Sequence, residues 1–586
     1  MIRRARLLAA ALAFAVAAVV GHARAACTLE KILEIPVTMT DRQPITAVRI
    51  NGRDVRLITD SGAFFSQLSS PEAAELGLKP GPLPFGVRIS GVGGAEQSPA
   101  FATAKDFSIN AVKATGAFVV GGGELGHGVA GVMGQNILGI ADVEYDLAHG
   151  VIRLMRAHDC LSRPLAYWDT TGAYSAVDIE AASARMTRAE AFVNGVRMRV
   201  LFDTGASNSE LGLAAAKRAG LDPHGAGVVS GGVSRGVGRR VLQTWIGPVD
   251  SFKVGDEEIR HTQLRFAETD LGLGDFDMLL GADFFLSHRV YVANDRRKLY
   301  FTYNGGPVFN LDVAPDAASA PGPAEIAADE PTDAAGLARR GAAFASRKEF
   351  DKAIADLSRA VTLAPDNADY LFERARAYQE NNQPFLAMAD LNKSLELRPD
   401  DVAALTTRAR FELAGHDKPH ALGDLAAVDR LAAKGADSRL DLAMVYLNAR
   451  EPSLAVAQLG LWIPAHPDDS HQGEALGARC WARGLLDRDL DLALVDCEGA
   501  VKRNPKSAQA LDARGLVRLR RGEFDQAIAD YDAALVIQPR AAMSLYGRGL
   551  AKLRKGLTAE SKTDMAAAAA LRPAVMQEAK AYGLTP

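Results

Sequence analysis

Residues 51–78 recur in outline 143 positions further along the chain. Asn51-Gly52 aligns with Asn194-Gly195, Asp60 with Asp203, and Gly77-Leu78 with Gly220-Leu221. The central phrases read LITDSGAFFS at 57–66 and VLFDTGASNS at 200–209. A single Asp-Ser/Thr-Gly turn after an apolar run is common, because Asp and Gly favour turns for local backbone reasons. Two such turns with matched flanks need a shared cause. In each copy an Asn-Gly pair marks a tight hairpin between two strands, and the second strand runs into the aspartate. A glycine-rich stretch follows, SGVGG at 90–94 and SGGVSRG at 230–236. Later comes an apolar pair ending in glycine, Val132-Met133-Gly134 and Leu279-Leu280-Gly281, and then a closing strand. A whole β domain has been duplicated, spanning about 36–158 and 175–304.

These features resemble the retropepsin-like aspartic proteases, whose pattern of Asp-Thr/Ser-Gly, glycine-rich flap and hydrophobic-hydrophobic-Gly appears twice here. The resemblance implies two all-β lobes that bring one aspartate each, Asp60 and Asp203, to a shared catalytic site. Ser61 and Thr204 would tie the paired turns through their hydroxyls, while Gly62 and Gly205 would let the backbones pass closely. Gly91, Gly93 and Gly94 in the first copy, and Gly231 and Gly232 in the second, would form flaps over a peptide substrate. Two carboxylates at such a site share one proton, so the pair supplies a base for water and an acid for the scissile carbonyl. The first copy departs from the second: Thr59 stands where the second has Phe202, and Phe64-Phe65 where it has Ser207-Asn208. A polar Thr59 on a buried strand needs a partner. A protease-like scaffold of the cell envelope that binds peptides without cutting them is the alternative reading. Pairing of lobes between two molecules is also open at this level.

From about residue 334 the texture changes to Ala, Leu, Arg and Asp at helical spacing. Prolines closing helical stretches fall at 365, 399, 467, 505, 539 and 573, spaced by 34 or near multiples of it. A small residue recurs at Gly341, Ala375, Ala409, Ala443, Gly515 and Gly549, and another at Ala353, Ala387, Ala421, Ala455, Ala493 and Ala527. Small residues at those places let two antiparallel helices approach closely, and stacked units then bury a continuous core. The stretch 334–575 resembles the tetratricopeptide repeat in about seven units. That implies an all-α solenoid with a groove for a protein or peptide partner. Residues 576–586 are expected to form a capping helix, and the Pro/Ala/acidic run 305–333 to form a linker.

The first 25 residues, MIRRARLLAAALAFAVAAVVGHARA, have the basic head and apolar body of a secretory signal peptide, with cleavage after Ala25 or Ala26. The mature protein is therefore expected to be exported, in a periplasmic type of compartment. Arg24 stands where a lipid-attachment motif would have Leu, which argues against a lipid anchor on Cys27. In an oxidising compartment Cys27 with Cys160 and Cys480 with Cys497 read as disulfides, with buried thiols as the alternative. None of the four has metal-ligand spacing, and no cofactor is expected. The chain carries 67 basic against 71 acidic residues, so charge gives no reason to expect nucleic acid or an anionic membrane as partner. His127, His149, His224 and His261 are isolated from nucleophile motifs, and GGGELGHG at 121–128 matches no phosphate-binding loop.

Overall fold

The computed structural model describes residues 27–83, 87–95, 99–121, 125, 128–160, 163–180, 186–236, 240–268, 276–309 and 330–586. The expected signal peptide and most of the expected linker lie outside them.

Each β copy closes on itself. In the first, strands Gln43–Ile50, Arg53–Thr59, Gly131–Met133, Ser66–Leu68, Val112–Val120 and Ala100–Ile109 follow one another by hydrogen bonding. Ala100–Ile109 then returns to pair with Gln43–Ile50. The second copy repeats the ring with Arg188–Val193, Val196–Phe202, Met278–Leu280, Glu210–Leu211, Glu257–Ala267 and Leu242–Val254. Closure leaves only short strands, Thr38–Thr40, Gly81–Pro82 and Val229–Ser234, outside the two rings. The Asn-Gly hairpins form as their chemistry requires, with positive φ at both residues: 49° and 78° at Asn51-Gly52, 49° and 75° at Asn194-Gly195. Each of these Asn side chains also donates across its lobe, Asn51 to Leu76 O and Asn194 to Ala219 O, which pins the hairpin to a short helix.

The two lobes share a third, six-stranded sheet. Its centre is the pairing of Asp142–Asp146 from the first copy with His288–Ala293 from the second. Its outer strands are Thr28–Pro36 and Ser175–Asp178. Thr28–Pro36 starts before residue 36, so the first lobe's pairing begins ahead of the boundary read from composition. Cys27 and Cys160 are bonded at the far end of this strand and its neighbour Val151–His158. Buried Glu144 in the shared sheet is forked by Arg153 and Arg289, and it also accepts from the Tyr167 hydroxyl. Pairing satisfies a carboxylate that would otherwise be costly to bury.

At the other end of the second lobe the packing runs past residue 304. Phe309 is 6% exposed and meets Phe252 edge to face at 5.0 Å, and the Ser287 hydroxyl donates to Pro307 O at 2.6 Å. The start of the expected linker is thus core.

The α region contains seven antiparallel helix pairs between Ala334 and Leu571 among the described residues. The small positions are crossing points: Ala353, Ala387, Ala421, Ala455, Ala493 and Ala527 are all fully buried. A Cβ on Gly341 would stand 2.8 Å from Leu357 Cγ, and one on Gly515 3.0 Å from the Tyr531 ring. Six pairs are also cross-linked by an Arg–Asp fork between their helices: Arg340–Asp356, Arg374–Asp390, Arg408–Asp424, Arg479–Asp496, Arg514–Asp530 and Arg548–Asp564. The two-pronged geometry fixes helix register as well as adding energy. Cys480 and Cys497 are bonded between the two helices of the fifth pair. A last helix, Val575–Ala581, is followed by Leu584, whose carbonyl accepts from the Tyr546 hydroxyl.

Candidate active site

The two Asp turns meet between the lobes, within one chain. Asp60 leaves strand Arg53–Thr59, which lies beside Gly131–Met133 in parallel, and its N–H donates to Met133 O at 2.9 Å. Asp203 leaves Val196–Phe202 in the same way and donates to Leu280 O at 2.8 Å. The apolar pairs ending in glycine therefore act as rails beside each aspartate. Gly134 and Gly281 are the places where the rail passes the turn. A Cβ there would stand 2.7 Å from Ala63 O and 2.5 Å from the Asn208 carbonyl carbon, respectively.

Ser61 and Thr204 tie the turns reciprocally. Ser61 N–H donates to Thr204 Oγ1 and Thr204 N–H to Ser61 Oγ, both at 2.9 Å. Each hydroxyl then donates across the interface to the residue before the other aspartate: Ser61 to Phe202 O at 2.9 Å, Thr204 to Thr59 O at 2.7 Å. Four buried bonds with this symmetry leave one relative placement of the lobes at the site. Gly62 and Gly205 are required by it. A Cβ on Gly62 would lie 2.3 Å from Asp203 Cγ, and one on Gly205 would lie 2.3 Å from Asp60 Cγ.

Each carboxylate is also held by its own turn. Asp60 Oδ1 accepts from Gly62 and Ala63 N–H at 2.7 and 2.9 Å, and Asp203 Oδ1 from Gly205 and Ala206 at 2.9 and 3.2 Å. Burial, then the charge of Asp203, holds the Asp60 carboxyl well above the usual range. Burial likewise raises Asp203, and the hydrogen bond between the two carboxyls works against it. The two carboxyls therefore titrate as a pair and not singly.

The differences between the lobes have physical partners. Thr59 shares a 2.7 Å hydrogen bond with the Thr46 hydroxyl, whereas Phe202 packs edge to face on Phe284 and Phe285. Phe64 remains 40% exposed, so the first lobe presents an aromatic where the second has a polar residue. The glycine-rich hairpins touch. Gly91 and Gly94 lie in the small ladder Ser90–Gly91/Gly94–Ala95, and Gly231 and Gly232 in strand Val229–Ser234. Gly93 O accepts from Arg240 N–H at 3.0 Å, and a Cβ on Gly236 would stand 3.3 Å from Val92 Cβ.

Several supporting residues escaped the sequence reading. Asn136 and Asp283 stand two positions after the rail glycines, and both receive the same pair of bonds. Asn136 Oδ1 accepts from Ser66 N–H and hydroxyl, and Asp283 Oδ1 from Ser209 N–H and hydroxyl. Extending the alignment from MG to MGQN and from LG to LGAD would have found them. Gln135 donates to Ser61 O at 2.9 Å, and Tyr145 is buried close to both beneath the first turn. The second lobe has Ala282 at the matching place.

Glu210 is 4% exposed, opposite Arg265 in the ladder, and burial pushes its carboxyl up to about 7. An acid raised in the folded state is favourable below its unfolded value and loses that advantage as pH rises through about 7. Glu210→Gln should therefore melt higher than the parent at pH about 8 and match it at about pH 4. Equal melting differences at both pH values in thermal scans would refute this.

The paired turns, the rails and the closed tandem barrels together define a fold of the aspartic protease type. Family comparison agrees. Residues 46–140 and 189–284 each match the aspartyl protease family model, and residues 340–412 match that of the tetratricopeptide repeat. The chain is thus a tandem pair of retropepsin-like lobes followed by a tetratricopeptide array. Among solved structures, a tetratricopeptide repeat protein from Parabacteroides merdae is 14% identical, with 43% of this chain and 98% of that one covered at a TM-score of 0.34. YrrB, described as a repeat protein with an unusual peptide-binding site, is 17% identical, covering 39% of this chain and 98% of its own at 0.24. The Cut9–Hcn1 hetero-tetramer of APC/C is 14% identical over 37% of this chain, at a TM-score of 0.31, and this chain spans only 43% of that one. No curated protein matches the sequence.

Proposed function

We propose that the β lobes form an aspartic endopeptidase, with Asp60 and Asp203 as its catalytic pair and the repeats as its protein-binding arm. The observation that carries this reading is the reciprocal contact of each turn glycine with the opposite carboxylate, which, with the hydrogen bond between the two carboxyls, brings one aspartate from each lobe together. The ionised member takes a proton from water as the water attacks the scissile carbonyl, and the protonated member gives its proton to the carbonyl oxygen. In the collapse of the tetrahedral intermediate one carboxyl gives its proton to the leaving amine while the other takes back the diol proton, so the pair again carries one proton. Ser61, Thr204, Gly62 and Gly205 position the pair, and the hairpins carrying Gly91, Gly93, Gly94, Gly231 and Gly232 close over the peptide and exclude water. The leader and the two disulfides support action in an exported, periplasmic setting. Among the described residues, no helix is long and apolar enough to cross a membrane. Cleavage of unfolded protein, assayed from acid to neutral pH with and without a pepstatin-type inhibitor, tests the proposal. Inhibitor-sensitive peptide products are expected. Intact substrate at every pH would leave the lobes as a peptide-binding scaffold.

A further inference from the structure

The repeat array lies against the β lobes along one edge, formed by the first helices of its pairs and the turns that lead into them. The nearest contact is buried. Helix Ala334–Ser346 packs on strand Thr38–Thr40 and the turn Leu147–His149, and its Ala343, 1% exposed, joins the lobe core. Gly150, at φ 66°, makes room for it, since a Cβ there would stand 2.4 Å from Arg339 Cβ. In the second pair Arg376 reaches both oxygens of Asp41 at 3.1 and 3.2 Å. Ahead of helix Ser438–Asn448, Gly435 lies against Pro71, and close by Asp437 is near enough to Glu72 for their like charges to help raise the Glu72 carboxyl. At the far end Glu474 meets Arg235 at 3.4 Å and Lys506 meets Glu268 at 3.6 Å, all four on exposed or half-exposed side chains.

Arg235 is the informative partner. It precedes Gly236, the point where the second hairpin abuts Val92 of the first, and Arg240 bonds to Gly93 O just beyond. A contact that holds Arg235 holds the junction of both hairpins.

We infer that this edge of the array is a docking surface for the chain's own β lobes, and that through Glu474 it holds the hairpins shut over the cleft. The partner of the edge is thus intramolecular. The anchor at Ala343 and Gly150 is apolar and permanent, whereas exposed ion pairs are individually weak, so the far end releases while the near end stays. A protein that occupies the edge near Glu474 and Lys506 would free the hairpins.

The functional half of this inference rests on the protease reading, and the docking half does not. In the full chain, Glu474→Arg with Lys506→Glu should speed amide hydrogen exchange of residues 229–236 and 90–95 by about fivefold, the scale of losing such pairs. Adding Arg235→Glu to the Glu474→Arg chain should restore slow exchange. The Glu474→Arg/Lys506→Glu chain should also cleave a short peptide a few times faster. Unchanged hairpin exchange in that chain overturns the docking, whatever the activity. Faster exchange with no cleavage in any chain would uphold the docking and refute the protease reading.

Discussion

Asp60→Asn and Asp203→Asn should each lower kcat/KM by about 10⁴-fold, and the double variant should be little worse than either, as for residues that act as a unit. The reason is the geometry of the shared proton. Each carboxylate sits against the other lobe's glycine, and burial raises both, so the pair works only when it carries one proton. Rate against pH should be bell-shaped, failing on the acid side with two protons and on the basic side with none. Both single variants should remain folded, because an Asn oxygen can accept the same two turn N–H bonds that Asp60 and Asp203 accept now. They should melt no lower than the parent at neutral pH, since the Asn amide can donate to the remaining carboxylate in place of the shared proton. Folded Asp60→Asn protein that cuts normally would remove the first lobe from the site. The dyad mechanism would then fail, even with the turns paired as they are.

What the sequence revealed was local or periodic. The Asn-Gly hairpins and Asp turns were legible because each is specified by the conformational preference of two or three residues, such as the positive φ at Asn51 and Gly52. The helix pairs were legible because Ala353, Ala387 and their successors recur at a fixed spacing. The sheet shared by the lobes was not. Its central register sets Glu144 against Tyr291, and nothing near either residue specifies the other. Thr59 signalled a need for a partner without naming Thr46, which sits on the neighbouring strand. The docking of the array was equally hidden. Its buried contact is Ala343, an alanine among many on its helix, and its ion pair Arg376–Asp41 spans 335 positions.

Phe309→Ala should destabilise the β lobes by about 3–5 kcal/mol, the range for removing a buried aromatic from a core. Composition places this residue in a Pro/Ala/acidic linker, where a substitution would cost almost nothing. Its environment argues otherwise: it is 6% exposed, its ring meets Phe252, and the adjoining Pro307 carbonyl receives the Ser287 hydroxyl. The same logic orders a truncation series. A chain ending at Asn304 loses Phe309 and also uncovers the strand Thr38–Thr40, against which helix Ala334–Ser346 packs. A chain ending at Phe309 regains the aromatic alone. A chain ending at Asn367 regains Arg339 and Ala343 with the first helix pair, and should melt closest to the lobes of the whole protein. Melting of the lobe transition, followed by near-ultraviolet circular dichroism, should rise in that order. The order separates two accounts of the boundary. If the lobes ended at Asn304, all three chains would melt together and Phe309→Ala would be silent. Stepwise recovery requires that the β core borrow its last apolar side chains from the segment beyond residue 304, so the repeats cannot be removed at the compositional border without opening the domain that carries the two aspartates.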